Sequence, residues 1–308
     1  MLEVNISGLK LKSPVILASG ILGVSHSTMK RLIDAGAGAI TTKSIGPKSR
    51  IGYRNPSIIE IFPGSFLNSV GLGNPGIDNF ISEIKKIKKY NFPLIVSVFG
   101  DTNEAYIEVA KKAIHSGADA IEINISCPHA EVSSIGIDKN LTLSLVSELK
   151  NEITAPLFVK LNPNVTNIEE IALAAEKGGA NAVVAINTIA AMAIDINTQR
   201  PILSHGSGGL SGKAIYPIAI KKVYDLFKVL KIPIIGCGGI FNWKNIIEFF
   251  LAGASAVQIG TALYKSMDII TEINKNLTNY LKENNYKSIS ELTGIAHQYK
   301  VQEVPDFD

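Results

Sequence analysis

The sequence predicts a (β/α)8 TIM barrel, an α/β fold, from two interleaved sets of strand-like segments. Four segments repeat the pattern Gly-Ala-x-Ala followed by Ile or Val, at residues 36–40, 117–121, 179–183 and 253–257. Four other apolar runs begin with proline, at residues 14–17, 93–96, 156–159 and 233–235. Taken in chain order they give eight strands with helical patterns between most of them, as in a closed barrel of parallel strands. An open doubly wound sheet is the alternative.

The local chemistry supports each of these elements. Each repeat glycine follows an amphipathic run, which is typical of a helix C-terminus, and precedes a short apolar strand. Proline is tolerated at the first residue of a strand, where no ladder donor is yet needed. The strands are apolar almost throughout, which favours parallel strands that are buried on both faces.

The remaining segments complete the predicted barrel. Residues 2–11, which turn at Ser7-Gly8, predict an N-terminal hairpin that covers the amino end of the barrel. Three connections are too long for simple turns, and in barrels such loops at the carboxyl ends of the strands carry function. They run from Ser44 to about Asp78, from Asn124 to about Asn140, and from Ile189 to about Gly212. We expect residues 1–308 to form one domain, with a polar tail from about residue 297.

The composition excludes several classes of protein. The 308 residues carry a net charge of only +3, with scattered lysines, so nothing indicates a nucleic-acid partner. Two cysteines do not make a disulfide framework, and no apolar run reaches the ~20 residues of a membrane span. We therefore expect a cytoplasmic protein that is not bound to a membrane. The five histidines are spread along the chain, and no metal site is expected.

The strand ends predict where the chemistry lies, because parallel strands deliver their carboxyl-terminal residues to one face. Two lysines, three asparagines and the thiol of Cys127 meet there, with Cys237 among the glycines after the seventh strand and no acidic residue among the strand-end positions, which suits a planar anionic ligand. The residues are Ser19; Thr41, Thr42, Lys43 and Ser44; Ser97; Asn124, Ser126 and Cys127; Lys160 and Asn162; Asn187 and Thr188; Gly236, Cys237, Gly238 and Gly239; Gly260 and Thr261.

The junctions after the seventh and eighth strands predict a phosphate site. Glycines at residues 238–239 and 260 let backbone amides approach an anion, and these junctions are the usual phosphate site of such barrels. The other interpretation is that these glycines only make tight turns.

Cys127 and the two lysines are the candidate reactive groups. Pro128 keeps Cys127 out of a helix, so the thiol lies on a shaped loop, where partial exposure suits a base or nucleophile. Lys43 or Lys160 could form a Schiff base, since barrel aldolases use a lysine at a strand end. Cys237 is interpreted as a small buried residue, with a second catalytic thiol as the alternative.

Taken together, these motifs resemble the dihydroorotate dehydrogenase family from about residue 2 to residue 268. The resemblance depends on segments in chain order: residues 18–20, 42–44, 55–56, 68–76, 124–128, 159–161, 186–188, 208–212, 238–239 and 260–261. It implies a flavin enzyme that oxidises dihydroorotate to orotate in pyrimidine synthesis.

The resemblance also implies the site residues. The cofactor would be FMN, bound by Ser19, Lys43, Ser44, Ser97, Asn124, Lys160, Ile186, Gly212, Gly238, Gly239, Gly260 and Thr261. The pyrimidine would be bound by Lys43, Asn68, Ser69, Val70, Gly71, Leu72, Asn124, Asn187 and Thr188. Cys127 would remove the proton from C5 of dihydroorotate while a hydride passes from C6 to N5 of the flavin. Lys160 would stabilise negative charge at the N1/O2 edge of that ring.

The resemblance also implies the class and the partners. Cysteine at position 127 matches the soluble class 1, since the membrane-bound class carries serine there. The sequence of residues 71–76 favours type 1B, in which the catalytic subunit passes electrons to NAD through an iron–sulfur/FAD subunit. The catalytic subunit would be a homodimer, or part of a heterotetramer with that partner. The alternatives are the fumarate-reducing homodimeric type, a dihydropyrimidine dehydrogenase-like flavoenzyme and, from another class, a Schiff-base lyase.

Three residues depart from the family pattern. Ser97 stands where an asparagine usually contacts the flavin, Gly73 replaces a commoner glutamine, and His129 replaces the asparagine after Cys-Pro. The sequence Cys-Pro-His also occurs in dihydropyrimidine dehydrogenase. These departures therefore bear on the electron acceptor more than on the barrel.

Overall fold

The computed structural model describes residues 1–125 and 132–299. The strands, in chain order, are β1 Val4–Ile6, β2 Leu9–Leu11, β3 Val15–Leu17, β4 Ala39–Thr41, β5 Ile58–Phe62, β6 Ser65–Asn68, β7 Leu94–Val98, β8 Ala120–Asn124, β9 Leu157–Lys160, β10 Ala182–Ala185, β11 Ile189–Ala191, β12 Ile194–Asp195, β13 Arg200–Pro201, β14 Gly208–Gly212, β15 Ile234–Cys237 and β16 Ala256–Ile259. The helices are α1 His26–Asp34, α2 Ile77–Lys88, α3 Asn103–His115, α4 Lys139–Glu152, α5 Ile168–Lys177, α6 Tyr216–Val229, α7 Trp243–Ala252 and α8 Ile269–Glu283.

Eight parallel strands close into a barrel in the order β3, β4, β7, β8, β9, β10, β15, β16 and back to β3. The predicted barrel is confirmed, and the open doubly wound sheet is wrong because β16 pairs with β3. All five residues of β7 are buried, as expected for a strand covered on both faces.

The predicted prolines before strands and glycines at helix ends are confirmed. β3, β7, β9 and β15 each begin at the residue after a proline. The four repeat glycines, Gly36, Gly117, Gly179 and Gly253, all have positive φ between 93° and 118°, which only glycine adopts readily at a helix end. Side chains of Ser25, Thr102, Asp138, Asn167 and Asn242 cap the starts of α1, α3, α4, α5 and α7.

The N-terminal hairpin covers the amino end of the barrel. β1 and β2 pair antiparallel, and Ile6 and Leu11 are buried. The Ser7 hydroxyl donates a hydrogen bond of 2.5 Å to the carbonyl of Asn181, the residue before β10. The opposite end of the barrel therefore remains for the site.

A second sheet covers part of that opposite end. The connection after β4 supplies β5 and β6, and the connection after β10 supplies β11 and β14, which form an antiparallel sheet in the order β11, β14, β6, β5. The central pairing aligns Asn68 with Gly209 and Leu67 with Leu210. Two of the three long connections thus form one structure above the barrel.

The segment after α8 packs on the barrel as far as it is described. The His297 ring stacks on Tyr224, with centroids 3.9 Å apart, and its Nε2 lies 3.0 Å from the carbonyl oxygen of Ala252. The tail predicted from about residue 297 lies, from residue 300 onward, outside the described residues.

Candidate functional site

Two adjoining cavities open at the carboxyl ends of the barrel strands. We call them the glycine cavity, of about 350 Å³, and the amide cavity, of about 440 Å³. The glycine cavity is bounded by Gly238, Gly239, Gly260 and Thr261, and the amide cavity by Lys43, Asn124 and the loop after β6. Both are lined by Ser19, Gly20, Asn68, Val70, Asn187 and Thr188. Two ligands could therefore lie side by side in contact.

Turns after β15 and β16 form one end of the glycine cavity. Gly238 and Gly239 have φ of 132° and 71°, and a Cβ on Gly239 would lie 2.5 Å from Cβ of Tyr216. Both backbone conformation and packing therefore require glycine there. Because α7 begins only at Trp243 and α8 at Ile269, bare turn backbone rather than an α-helix N-terminus lines this end.

Lys160 lies in the glycine cavity with only 3% of its surface exposed. Its Nζ donates a hydrogen bond of 2.6 Å to Oε1 of Gln258 and lies 3.2 Å from Sγ of Cys237. A buried ammonium is costly unless it has partners, so the barrel holds this cation at a defined place. The Cys237 thiol is only partly buried, because it lines the same cavity.

Glu122 and Gln258 lie below Lys160 inside the barrel, and sequence reasoning missed both. Nε2 of Gln258 donates to Oε2 of Glu122 at 2.6 Å, and both side chains are buried. The alternation of side chains along a strand predicts that Glu122, two residues before Asn124, lies on the same face of β8 as Asn124. This signal was available in the sequence. The sequence inventory covered only the strand ends, and an acidic group, Glu122, lies one layer deeper in the barrel.

The amide cavity contains every residue predicted to bind the pyrimidine. They are Lys43, Asn68, Ser69, Val70, Gly71, Leu72, Asn124, Asn187 and Thr188. Burial lowers the pKa of the Lys43 ammonium. Amide groups and one cation are suited to a planar, polar anion.

The residues predicted to bind the cofactor divide between the two cavities. Ser19, Lys160, Ile186, Gly212, Gly238, Gly239, Gly260 and Thr261 line the glycine cavity, whereas Lys43, Ser44 and Asn124 line the amide cavity. Ser97 lines neither cavity: it is fully buried, and its Oγ lies 2.9 Å from Oγ of Ser44. Nδ2 of Asn124 also donates to Ser44, at 3.1 Å. Ser97 therefore lies behind the predicted contact residues.

Cys127, the predicted base, lies outside the described residues, as do Ser126 and His129. The strand that leads to it ends at Asn124, which lines the amide cavity and whose carbonyl accepts a hydrogen bond of 2.9 Å from the Tyr106 hydroxyl. The assignment of the base remains a prediction from the sequence.

Two aromatic residues of the amide cavity were also missed. Tyr53 and His205 line it and stack with ring centroids 3.8 Å apart. They lie in different long connections, so no local pattern indicates that they meet.

Across residues 1–125 and 132–299, no group of three or more His, Cys, Asp or Glu side chains is arranged to hold a metal ion. In the same part of the chain no helix has both the length and the apolar character needed to cross a membrane.

Comparisons with known proteins identify the family. The family model described as dihydroorotate dehydrogenase matches residues 1–281. Three similar proteins, each named dihydroorotate dehydrogenase B (NAD(+)), catalytic subunit, come from Methanocella arvoryzae (48% identical, covering 96% of this chain and 97% of that one), Pyrococcus abyssi (47%, 96% and 99%) and Methanocaldococcus jannaschii (45%, 97% and 99%).

A solved structure shares the fold. The crystal structure of dihydroorotate dehydrogenase from Eimeria tenella in complex with ferulenol is 23% identical and has a TM-score of 0.85, covering 97% of this chain and 89% of that one. Since the family model spans most of the sequence and the relatives align along nearly their whole length, this chain belongs to the dihydroorotate dehydrogenase family.

Proposed function

We propose that this protein oxidises dihydroorotate to orotate, with FMN in the glycine cavity and the pyrimidine in the amide cavity. The observation that carries the proposal is the wall shared by the two cavities, which includes Asn68, Asn187 and Thr188. Hydride transfer needs two planar ligands in contact, and adjoining cavities with a common wall provide that arrangement. The family is flavin-dependent in general, and we propose FMN as the flavin of this chain.

The residues of the glycine cavity fit FMN. The bare backbone at Gly238, Gly239 and Gly260, with the Thr261 hydroxyl, suits a phosphate, and the buried Lys160 suits a ring that gains negative charge. FMN, when bound, accepts the hydride. In this arrangement Lys160 supplies a fixed positive charge that needs no reorganisation during the reaction.

The amide cavity fits the substrate. Asn68, Asn124 and Asn187 offer both donors and acceptors, which match the ring amides of a dihydropyrimidine, and Lys43 pairs with its carboxylate. Uracil lacks that carboxylate. Lys43 therefore favours dihydroorotate over the substrates of a dihydropyrimidine dehydrogenase.

Proton removal is assigned to Cys127 from the sequence. As the base, its thiolate takes a proton from C5, the hydride leaves C6, and the C5–C6 double bond of orotate forms. Because a free thiol has a pKa of about 8.5, a neighbouring positive charge would help it act at neutral pH.

The proposed electron acceptor is NAD, through an iron–sulfur/FAD partner subunit. The three relatives are named as catalytic subunits of an NAD(+)-dependent enzyme, and they align along nearly the full length of this chain. A homodimer of this chain, alone or within a heterotetramer, is the proposed assembly.

Purification and spectroscopy test the proposal. The purified chain should be yellow, bind FMN more tightly than riboflavin, and show a change in its flavin spectrum with orotate but not with uracil. Turnover with NAD should require the partner subunit, whereas turnover with fumarate alone would favour the fumarate-reducing type. A protein that binds no flavin, and that borohydride traps with a carbonyl substrate, would contradict the proposal and favour a Schiff-base lyase.

A further inference from the structure

Three strands of the barrel contribute a chain of buried polar side chains that ends at Lys160. Gln258 of β16 connects Lys160 of β9 to Glu122 of β8, and Lys160, Gln258 and Glu122 are 3%, 1% and 0% exposed. Both links measure 2.6 Å, and Nε2 of Gln258 lies a further 3.3 Å from Oγ1 of Thr41. The chain crosses the barrel interior next to the glycine cavity, which both Lys160 and Gln258 line.

The chemistry of the end groups fixes the orientation of Gln258. An ammonium can only donate hydrogen bonds and a carboxylate can only accept them, so the amide oxygen faces Lys160 and the amide nitrogen faces Glu122. Both hydrogen bonds involve a charged group, which makes them stronger than neutral ones. Gln258 therefore restrains the Lys160 ammonium from the barrel side.

One carboxylate oxygen of Glu122 is buried without a hydrogen bond to any described residue, which folding does not require. Its Oε1 is buried and finds no hydrogen-bond partner within the part of the chain that the structure describes. Burying a carboxylate with one oxygen unpaired is unfavourable, and apolar side chains of similar volume often replace buried ion pairs without loss of stability. The acidic group therefore calls for a role other than packing.

We propose that Glu122 and Gln258 are positioning residues that set the charge and the place of Lys160 for the flavin. Glu122 supplies a negative charge that partly offsets Lys160, and so lowers the reduction potential of the bound flavin. Gln258 holds the ammonium against the cavity. This inference rests on the proposed function, because it requires a flavin in the glycine cavity.

The test is the midpoint potential of bound FMN, measured by spectroelectrochemistry in the full-length protein. Glu122→Gln keeps the side-chain shape and the oxygen that accepts from Gln258, but it removes the negative charge. The positive charge of Lys160 is then less compensated. The equilibrium constant for two-electron flavin reduction should rise at least tenfold, which is about 30 mV. Glu272→Gln, on the exposed side of α8, is the matched control and should not shift the potential.

A second variant tests the positioning by Gln258. Gln258→Met has a similar volume but removes both hydrogen bonds, so Lys160 loses its restraint. We expect FMN to bind at least tenfold more weakly and its potential to move to lower values, opposite in direction to Glu122→Gln. A purely structural role would not produce shifts of opposite sign.

The outcomes separate this inference from the proposed function. If the wild-type protein binds no flavin, both are overturned. If the wild-type protein binds FMN and the potential of Glu122→Gln matches that of the Glu272→Gln control, only the inference about Glu122 is overturned. If Gln258→Met keeps the wild-type FMN affinity and potential, the positioning role of Gln258 is overturned.

Discussion

The rings of Tyr53 and His205 stack with their centroids 3.8 Å apart and their planes 9° from parallel, although the two residues are 152 positions apart in the chain and belong to different long connections. Both rings line the amide cavity. A Cβ on Gly71 would lie 2.7 Å from the Tyr53 ring, so this ring also packs closely on the loop after β6. The stacked pair therefore holds together the two loops that bound the proposed substrate site.

This stacking predicts weaker ligand binding when His205 is removed. Aromatic pairs contribute about 1 kcal/mol beyond the area they bury, so His205→Ala should raise the Kd for orotate about fivefold and leave FMN bound. Titration of the flavin spectrum with orotate measures the effect. His115→Ala, on the exposed side of α3, is the control, and an equal Kd in both variants would contradict the prediction.

Replacing Cys127 tests the predicted base. A positioned base contributes roughly 10² to 10⁴ in rate, so Cys127→Ala should slow flavin reduction by dihydroorotate by several orders of magnitude. FMN content and orotate affinity should stay near the wild-type values, because no proton transfer is needed for binding. Anaerobic single-turnover mixing measures the rate, and an unchanged rate would remove Cys127 from the mechanism.

The barrel could be predicted because its signals are local. A glycine at each helix end and a proline before a strand are read within a few residues, and the Gly36, Gly117, Gly179 and Gly253 turns are all present. The sheet formed by β5, β6, β11 and β14 could not be predicted in the same way. It depends on the pairing of Asn68 with Gly209 across 141 positions, and sequence patterns do not fix such long-range contacts.

Strand ends indicate from the sequence where several cavity-lining side chains lie. Lys43, Asn124 and Asn187, which the sequence placed at strand ends, line one cavity. This reasoning failed for Glu122, because the inventory stopped at the last residues of each strand and omitted the layer below. The family resemblance implied that Ser97 contacts the cofactor, whereas the Ser97 side chain is buried behind Ser44 and lines neither cavity. Burial behind a neighbour is a property of three-dimensional packing, which strand position alone does not give.

Glu83 stabilises the start of α1 from a neighbouring helix. Its Oε2 accepts hydrogen bonds from the backbone amide of His26, at 2.6 Å, and from the His26 ring, at 2.9 Å, while Lys86 donates to its Oε1. Burial by itself raises the pKa of Glu83, but these hydrogen bonds outweigh it and lower the pKa to about 2. Its folded-state pKa is therefore below the ordinary value of 4.5.

The sign of this shift predicts how stability depends on pH. Stabilisation by Glu83 is fully present above pH 4.5 and is lost as the pH falls toward about 2. At pH 7, Glu83→Gln should lower the free energy of unfolding by about 1–2 kcal/mol, and the difference from wild type should shrink in acid. Denaturant unfolding at several pH values measures this. Glu108→Gln, whose ion pair with Lys112 is more exposed, should cost less than about 0.5 kcal/mol, and an equal cost at both sites would contradict the prediction.

Lys43 predicts how ligand binding depends on pH. Burial lowers the pKa of its ammonium, because the charged form is less well solvated in the cavity. Since the carboxylate of orotate stays negative near neutral pH and above, the pair exists only while Lys43 is protonated. The Kd for orotate should therefore be constant at low pH and rise up to tenfold per pH unit once the pH exceeds the lowered pKa.

Two variants assign this pH dependence to Lys43. Lys43→Gln should raise the Kd for orotate at neutral pH by about 10- to 100-fold, the value of a charge-assisted hydrogen bond, and should make it independent of pH over the same range. Lys48→Gln, which removes an exposed charge five residues further along the chain, should keep the wild-type profile. Titrations in a Cys127→Ala background exclude the thiol as the titrating group. If the Kd of that background rises with pH even after Lys43 is replaced, another group binds the carboxylate, and Lys43 only lines the cavity.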